Sequence, residues 1–421
     1  WEQIVIFTIP MLIGNIAQQL YNTVDSIVVG RYVGDNALAA VGSASPIFNL
    51  LLVLFIGISV GASVMVSQYF GAKQREELSK TIGNCITLTA LASVIIMVLG
   101  AALVKPLLHM LNTPESIIDW CASYLMILLM GIAGVAYYNI LCGILRGLGD
   151  SISALIYLLI ATVINIVLDI WFVAGLKMGV AGGALATVIA QVVSAVLCMI
   201  KLARMTAVFD MKWKYLKMDR FHAATIIRLG LPSGVTQAIF SMAIMRVDGF
   251  AMMPNFSFGT AMTTYAGQNV GAKRYDRVEQ GAKQGTLIAV GVSAVITAAI
   301  LVFGKYLMAI FTTTSELVTL SANMMKILAV GYIAMAVTQS LSGVMRGAGD
   351  TMTPMWISLI TTVLIRVPLA YGISYLTRTP ELPTGDYRCI FISLLSSWVL
   401  GAVITAICYR RGKWKEKGLK M

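Results

Sequence analysis

The sequence predicts an all-α polytopic membrane protein with twelve transmembrane helices in two pseudo-symmetric six-helix lobes. Three observations carry this expectation. Hydrophobic residues make up 58% of the 421 positions and charged residues only 12%, too few charges to cover a water-soluble core of that size. Twelve apolar segments are each long enough, or nearly so, to cross a bilayer, for which about 20 helical residues suffice. Sequence motifs then recur at an offset of 200 residues.

The segments cover residues 4–30, 45–70, 79–103, 119–145, 152–175 and 180–202, then 224–245, 247–270, 278–303, 318–345, 352–376 and 389–409. The chain opens on Trp1 rather than Met and turns apolar at once, which reads as a trimmed N-terminus. That first run is too long for a cleavable signal peptide. Basic residues gather at Lys73, Arg75 and Lys80, at Arg146, from Lys201 to Arg228, from Lys273 to Lys283, at Arg346 and in the tail from Arg410. The alternate loops carry few. By the positive-inside rule the basic loops and both termini lie in the cytoplasm, on the inner side of a cell membrane. The same rule accounts for the net charge of +12 without nucleic acid.

Two motifs define the repeat. Gly143-Ile-Leu-Arg146-Gly147-Leu-Gly149-Asp150 returns as Gly343-Val-Met-Arg346-Gly347-Ala-Gly349-Asp350, and Gln68-Tyr-Phe-Gly71-Ala72-Lys73 returns as Gln268-Asn-Val-Gly271-Ala272-Lys273. Six helices per half give both halves one orientation. The expected organisation is an N-terminal lobe (1–202), a cytoplasmic linker acting as hinge (203–222), a C-terminal lobe (223–410) and a basic tail (411–421). Pro10 matches Pro232 at an offset of 222, so about 22 residues of the first half lack a counterpart near residues 245–246. The outer hairpin between helices seven and eight is expected to be missing there.

The polar residues inside apolar segments are the functional candidates. Gln18, Tyr21, Asn22 and Asp25 fall at helical spacing and form one stripe on the first helix. Asn165 and Asp169 lie one turn apart on the fifth. Counted by rise per residue, Asp25 and Asp169 reach matched depths in the outer half of the bilayer. A carboxylate in a spanning helix is costly and by default functional, so this pair is expected to hold a proton or a cation such as sodium. The alternative is a structural hydrogen-bond hub. The second half lacks the pair, with Ile365 and Leu369 at the equivalent positions. It offers Asp248 and Arg366 instead, read as a salt bridge or substrate contact. Pro10 is a candidate hinge below the first-helix stripe. The 24 methionines could line an adaptable cavity.

Other chemistries find no support. The six cysteines form no CxxC pair and read as small core residues. The Gly-x-Gly-Asp turns have neither the strand before nor the GK[ST] after that a phosphate-binding loop needs. There is no ATPase motif and no metal-spaced histidine, so neither enzyme activity nor a cofactor is expected.

Taken together, these residues resemble the multidrug and toxic compound extrusion (MATE) transporters. The resemblance spans the whole chain apart from the gap near residue 245. It rests on Asn22-Thr-Val-Asp25-Ser26 with Gly30-Arg31-Tyr-Val-Gly34, on the two repeated motifs, on Asn165-Ile-Val-Leu-Asp169 and on Val247-Asp248-Gly249-Phe250-Ala251-Met252-Met253-Pro254. It implies two lobes around a central cavity and alternating access. It also implies export of amphiphilic, often cationic compounds in exchange for H+ or Na+, with a monomer as the working unit. The family's acidic site maps onto Asp25 and Asp169, with Gln18, Tyr21, Asn165 and Thr187 as polar neighbours. Met252, Met253 and Gln237 fall with Asp248 and Arg366 on the second-lobe side, where Gln237 stands in place of an acid that some members carry. A flippase for lipid-linked precursors of the same superfamily is the alternative. It would call for a basic cavity, whereas the first lobe offers acids.

Overall fold

The computed structural model describes residues 2–110, 113–243, 246–309, 315–378, 386 and 388–418. Every regular element among them is helical. The first half contains α1 (Glu2–Val33), α2 (Asp35–Gly71), α3 (Arg75–Met110), α4 (Glu115–Met130), α5 (Ile132–Gly147), α6 (Ser151–Asp169) and α7 (Gly179–Arg204). The second contains α8 (Arg220–Ala243), α9 (Arg246–Gly271), α10 (Tyr275–Ala309), α11 (Ser315–Gly347), α12 (Met352–Leu359), α13 (Val367–Leu376) and α14 (Arg388–Arg410). A π-helical stretch, Ile170–Gly175, prolongs α6, and another, Ile360–Arg366, joins α12 to α13. With α4–α5 and α12–α13 each taken as one span, the order gives twelve. Nine described helices are long and apolar enough to cross a membrane alone, and the α4–α5 pair makes a tenth. The more polar α8 and α9 complete the set.

Two spans differ from the sequence expectation. The fourth is broken at Gly131, where α4 and α5 meet at 53°. A Cβ on Gly131 would stand 2.3 Å from Val188 Cγ1, so the bend lets α7 approach this backbone closely. The second helix begins ten residues before the expected position 45, and only Gly34, at φ 110°, separates it from α1. Ala37, Ala40, Val41 and Ala44 are buried along this extension, at the i, i+3, i+4, i+7 spacing of a packed helical face. The predicted gap near residues 245–246 adjoins positions 244–245, which lie outside the described residues.

The repeated motifs build the same turn twice. Gly149 and Gly349 take φ of 92° and 94°, left-handed values that glycine adopts without a Cβ penalty and that end a helix. The next residue caps the following helix. Asp150 accepts from Ser153 N at 2.9 Å and Ser153 Oγ at 2.7 Å, and Asp350 accepts from Thr353 Oγ1 at 2.8 Å. The glycines before each turn serve packing. A Cβ at Gly143 would stand 2.8 Å from the Ser59 carbonyl oxygen, and one at Gly343 would stand 2.3 Å from that of Gly259. Gly147 and Gly347 meet α2 and α9 in the same way, so α5–α2 and α11–α9 pack backbone to backbone as small-xxx-small pairs.

The chain forms two compact units, one of Ile9–Ala238 and one of Trp1–Thr8 with Ile239–Met421. In the second unit Ile4 joins a core with Phe258, Met262 and Ala266 of α9. In the first, Gly57 and Gly61 of α2 receive the backbone of α8 at Ile226 and Gly230. The linker expected to act as a hinge is docked along α3. Arg75 pairs with Asp210 at 3.0 Å and donates to the carbonyls of Thr206 and Ala207. Thr87 donates to the Leu216 carbonyl at 2.6 Å, and Asn84 accepts from Asp219 N at 2.7 Å. Buried His222 lies between Asp219 and Glu77, with Nε2 3.1 Å from the Glu77 carboxylate.

Candidate functional site

Three helices of the first unit, α1, α6 and α7, bring the candidate acids together. Asp25 is 7% exposed and Asp169 is fully buried. Glycine at position 183 of α7 makes room for both. The point where a Gly183 Cβ would stand lies 3.1 Å from Asp25 Oδ1 and 3.9 Å from Asp169 Oδ1. The π-helical stretch begins at the residue after Asp169, and such local widening is common at functional positions.

Thr187, one turn beyond Gly183, gathers the neutral polar groups. Its Oγ1 accepts from Tyr21 Oη at 3.1 Å and faces Asn165 Nδ2 at 3.5 Å. Asn165 is fully buried and Tyr21 nearly so. The acids themselves are left with open acceptors. Asp25 Oδ1, both oxygens of Asp169 and Asn165 Oδ1 are buried without a hydrogen-bond partner among the described residues. Buried acceptors are nearly always satisfied, because an orphaned one forfeits its solvation.

Of the predicted first-unit residues, Asp25, Asp169, Asn165, Tyr21 and Thr187 therefore form one cluster. Gln18 stands on an exposed part of α1. Pro10 is a half-buried residue inside α1, next to the Thr8–Ile9 boundary of the two units. Sequence reasoning missed two contributors. Gly183 reads as a packing glycine. Tyr124 of α4, 7% exposed and within electrostatic range of Asp25, Tyr21 and Asp169, carries no signal on an apolar helix.

Among the described candidates of the second half, Arg366, Met252 and Met253 do not form a comparable cluster. Arg366 ends the second π-helical stretch and donates from Nε to Ser397 Oγ at 3.1 Å. Met252 is packed in a core with Ile300, Met325, Tyr332 and Trp398, and Met253 is buried beside it. The side chains of Gln237 and Asp248, and so the Asp248–Arg366 pair, lie outside the described residues.

A twelve-span helical bundle with repeated motifs, and an acidic pair buried inside one unit without hydrogen-bond partners for three of its oxygens among the described residues, define a polytopic membrane transporter. The MatE family model matches residues 10–171 and 235–372, and the chain belongs to this family. It is 30% identical over 406 residues to the probable multidrug resistance protein YoeA of Bacillus subtilis, covering 90% of this chain and 88% of that one. It is 28% identical to the probable multidrug resistance protein YpnP of the same organism, covering 99% and 96%. That alignment runs over 444 positions, longer than this chain, so the relative carries residues with no counterpart here. Among solved structures the fold superposes on a MOP superfamily transporter from Pyrococcus furiosus with a TM-score of 0.91 at 24% identity, covering 99% and 96%.

Proposed function

We propose that the protein is a secondary active exporter of amphiphilic, often cationic compounds, and that it exchanges them for protons or sodium ions by alternating access. The single observation that carries this reading is the Asp25–Asp169 pair, buried in apolar helices with three carboxylate oxygens unpartnered among the described residues. Two desolvated carboxylates that share one small space cannot both remain charged and empty without large cost. Taking up H+ or Na+ relieves that cost, and losing the ion restores it. Relatives named as multidrug resistance proteins support the substrate class.

A coupling ion shifts a conformational equilibrium only by binding one state better than the other. The groups that supply this difference are Tyr21 on α1, Asn165 on α6 and Thr187 on α7. Ion uptake redraws their hydrogen bonds and draws α1 toward α7. Pro10 cannot donate the bond that would satisfy the carbonyl of residue 6, so α1 bends there at low cost. The basic turns and both termini face the cytoplasm by the positive-inside rule.

Proteoliposomes loaded with an amphiphilic cation, under a separate pH or sodium gradient, test the proposal. Wild type should show efflux under one gradient, and Asp25→Asn and Asp169→Asn should each lose it. Gradient-driven efflux that persists in both variants would sink the assignment of coupling to this pair.

A further inference from the structure

Behind the last helix the chain folds back on the second unit. Trp414, in the short 3-10 turn Lys413–Glu416, is 1% exposed and stacks on Tyr409 with ring centroids 5.3 Å apart. Its Nε1 donates to the Tyr409 carbonyl at 3.0 Å, and Tyr275 Oη donates to the Lys415 carbonyl at 3.3 Å. The tail is thereby fixed across the start of α10. A cavity of about 260 Å³ adjoins it, lined by the charged Glu279, Lys283, Arg410 and Lys415 and by the apolar Leu341 and Trp414.

The charges in this lining do not cancel. Lys415 pairs with Glu279. Among the described residues no carboxylate lies within ion-pair distance of Lys283 or Arg410, and both are exposed. The cavity therefore holds two free cations beside apolar side chains. Its depth is fixed by helix length. The 35 residues of α10 span about 52 Å at 1.5 Å each, well beyond an apolar core of about 30 Å, and Asp276, Arg277, Glu279 and Lys283 all lie in its first three turns, so that end stands among lipid head groups. Lys283 lies eight residues in, and Arg410 closes α14 at the same membrane face.

We propose that this cavity seats the phosphate of an anionic phospholipid of the leaflet on the tail side, held by Lys283 and Arg410. The leaflet's negative surface attracts the basic tail, where Arg411, Lys413 and Lys417 add to the field that draws an anionic lipid. The two free cations then bind the phosphate, and Leu341 and Trp414 meet the apolar start of the lipid.

Native mass spectrometry of the full chain, released from detergent with phosphatidylglycerol or with phosphatidylcholine of the same acyl chains, reads this directly. Glycerol 3-phosphate serves as the soluble source of the same group. Wild type should retain phosphatidylglycerol over phosphatidylcholine by at least about tenfold, and the Lys283→Gln/Arg410→Gln protein should lose that preference. Lys283→Arg/Arg410→Lys should keep it. The single Lys283→Gln substitution, at an exposed side chain, should lose part of it with an unchanged thermal transition. Equal retention of both lipids by wild type, an undiminished preference in the double Gln variant, or uptake of glycerol 3-phosphate in place of lipid would overturn the assignment.

Discussion

Tyr21 donates its phenol proton to Thr187 Oγ1 at 3.1 Å, tying α1 to α7 one turn from Asp25 on the first and one turn from Gly183 on the second. Tyr21→Phe removes this tie and keeps the ring. A neutral hydrogen bond of this kind is worth about 0.5–1.5 kcal/mol, so the thermal transition should fall slightly. Gradient-driven efflux should fall by more than that loss of stability explains. A variant with wild-type efflux would show that the Tyr21–Thr187 bond is only a strut.

Gly183→Ala separates folding from coupling. Alanine favours a helix interior over glycine by roughly 0.5–1 kcal/mol, so the protein should be no less stable unless the site crowds. The new methyl would stand 3.1 Å from Asp25 Oδ1, within the space between the two acids. Efflux driven by the coupling ion should drop severalfold while the melting temperature holds. The readout is efflux rate beside a thermal shift on the same preparation.

The docked linker should respond to acid. The Arg75 guanidinium beside Asp210 holds its carboxyl below the usual carboxylate range, and the His222 imidazole does the same for Asp219. A depressed folded-state value means the contribution is present above the unfolded value, near pH 4, and is lost as pH falls through the folded one. Hydrogen exchange of residues 205–219 should therefore quicken as pH falls below about 4, after correction for intrinsic rates. Arg75→Gln should show the faster exchange already at neutral pH.

The twin caps give a matched pair of tests. Asp150→Ala removes an N-cap and Asp350→Ala removes the matching bonds to Thr353, each at a cost of about 0.5–2 kcal/mol. Asp150→Asn should recover most of the loss, since an amide oxygen still accepts from Ser153 N. Thermal unfolding of the three variants checks this, and a Asp150→Asn protein as unstable as the alanine variant would move the effect to the Lys201–Asp150 pair, 3.4 Å apart.

Helix count, the duplication and most of the acidic cluster were legible because each leaves a periodic trace. Asp25 with Tyr21, and Asp169 with Asn165, share faces at turn spacing, and cost alone marks a carboxylate in an apolar run. Thr187 has no such trace, since a lone threonine in a small-residue helix bonds its own backbone as readily as a distant side chain. Only the family resemblance pointed to it. The break at Gly131 was hidden because no proline or polar residue interrupts the run around it. The early start of α2 was readable in the 3–4 spacing of Ala37, Ala40, Val41 and Ala44, but small residues weigh little in a hydropathy window. Gly183 was visible as a glycine and opaque as a spacer, because what it makes room for lies on two other helices.

The opening residues of α1 belong to the same compact unit as the second half, and most of α8 belongs with the first. A duplicated gene normally yields two copies that each close on themselves, yet here each copy has given its leading helical piece to the other. The halves have become mutually dependent lodgers. Fragments severed at the linker should neither accumulate nor insert stably alone, and should regain both only when produced together in one cell.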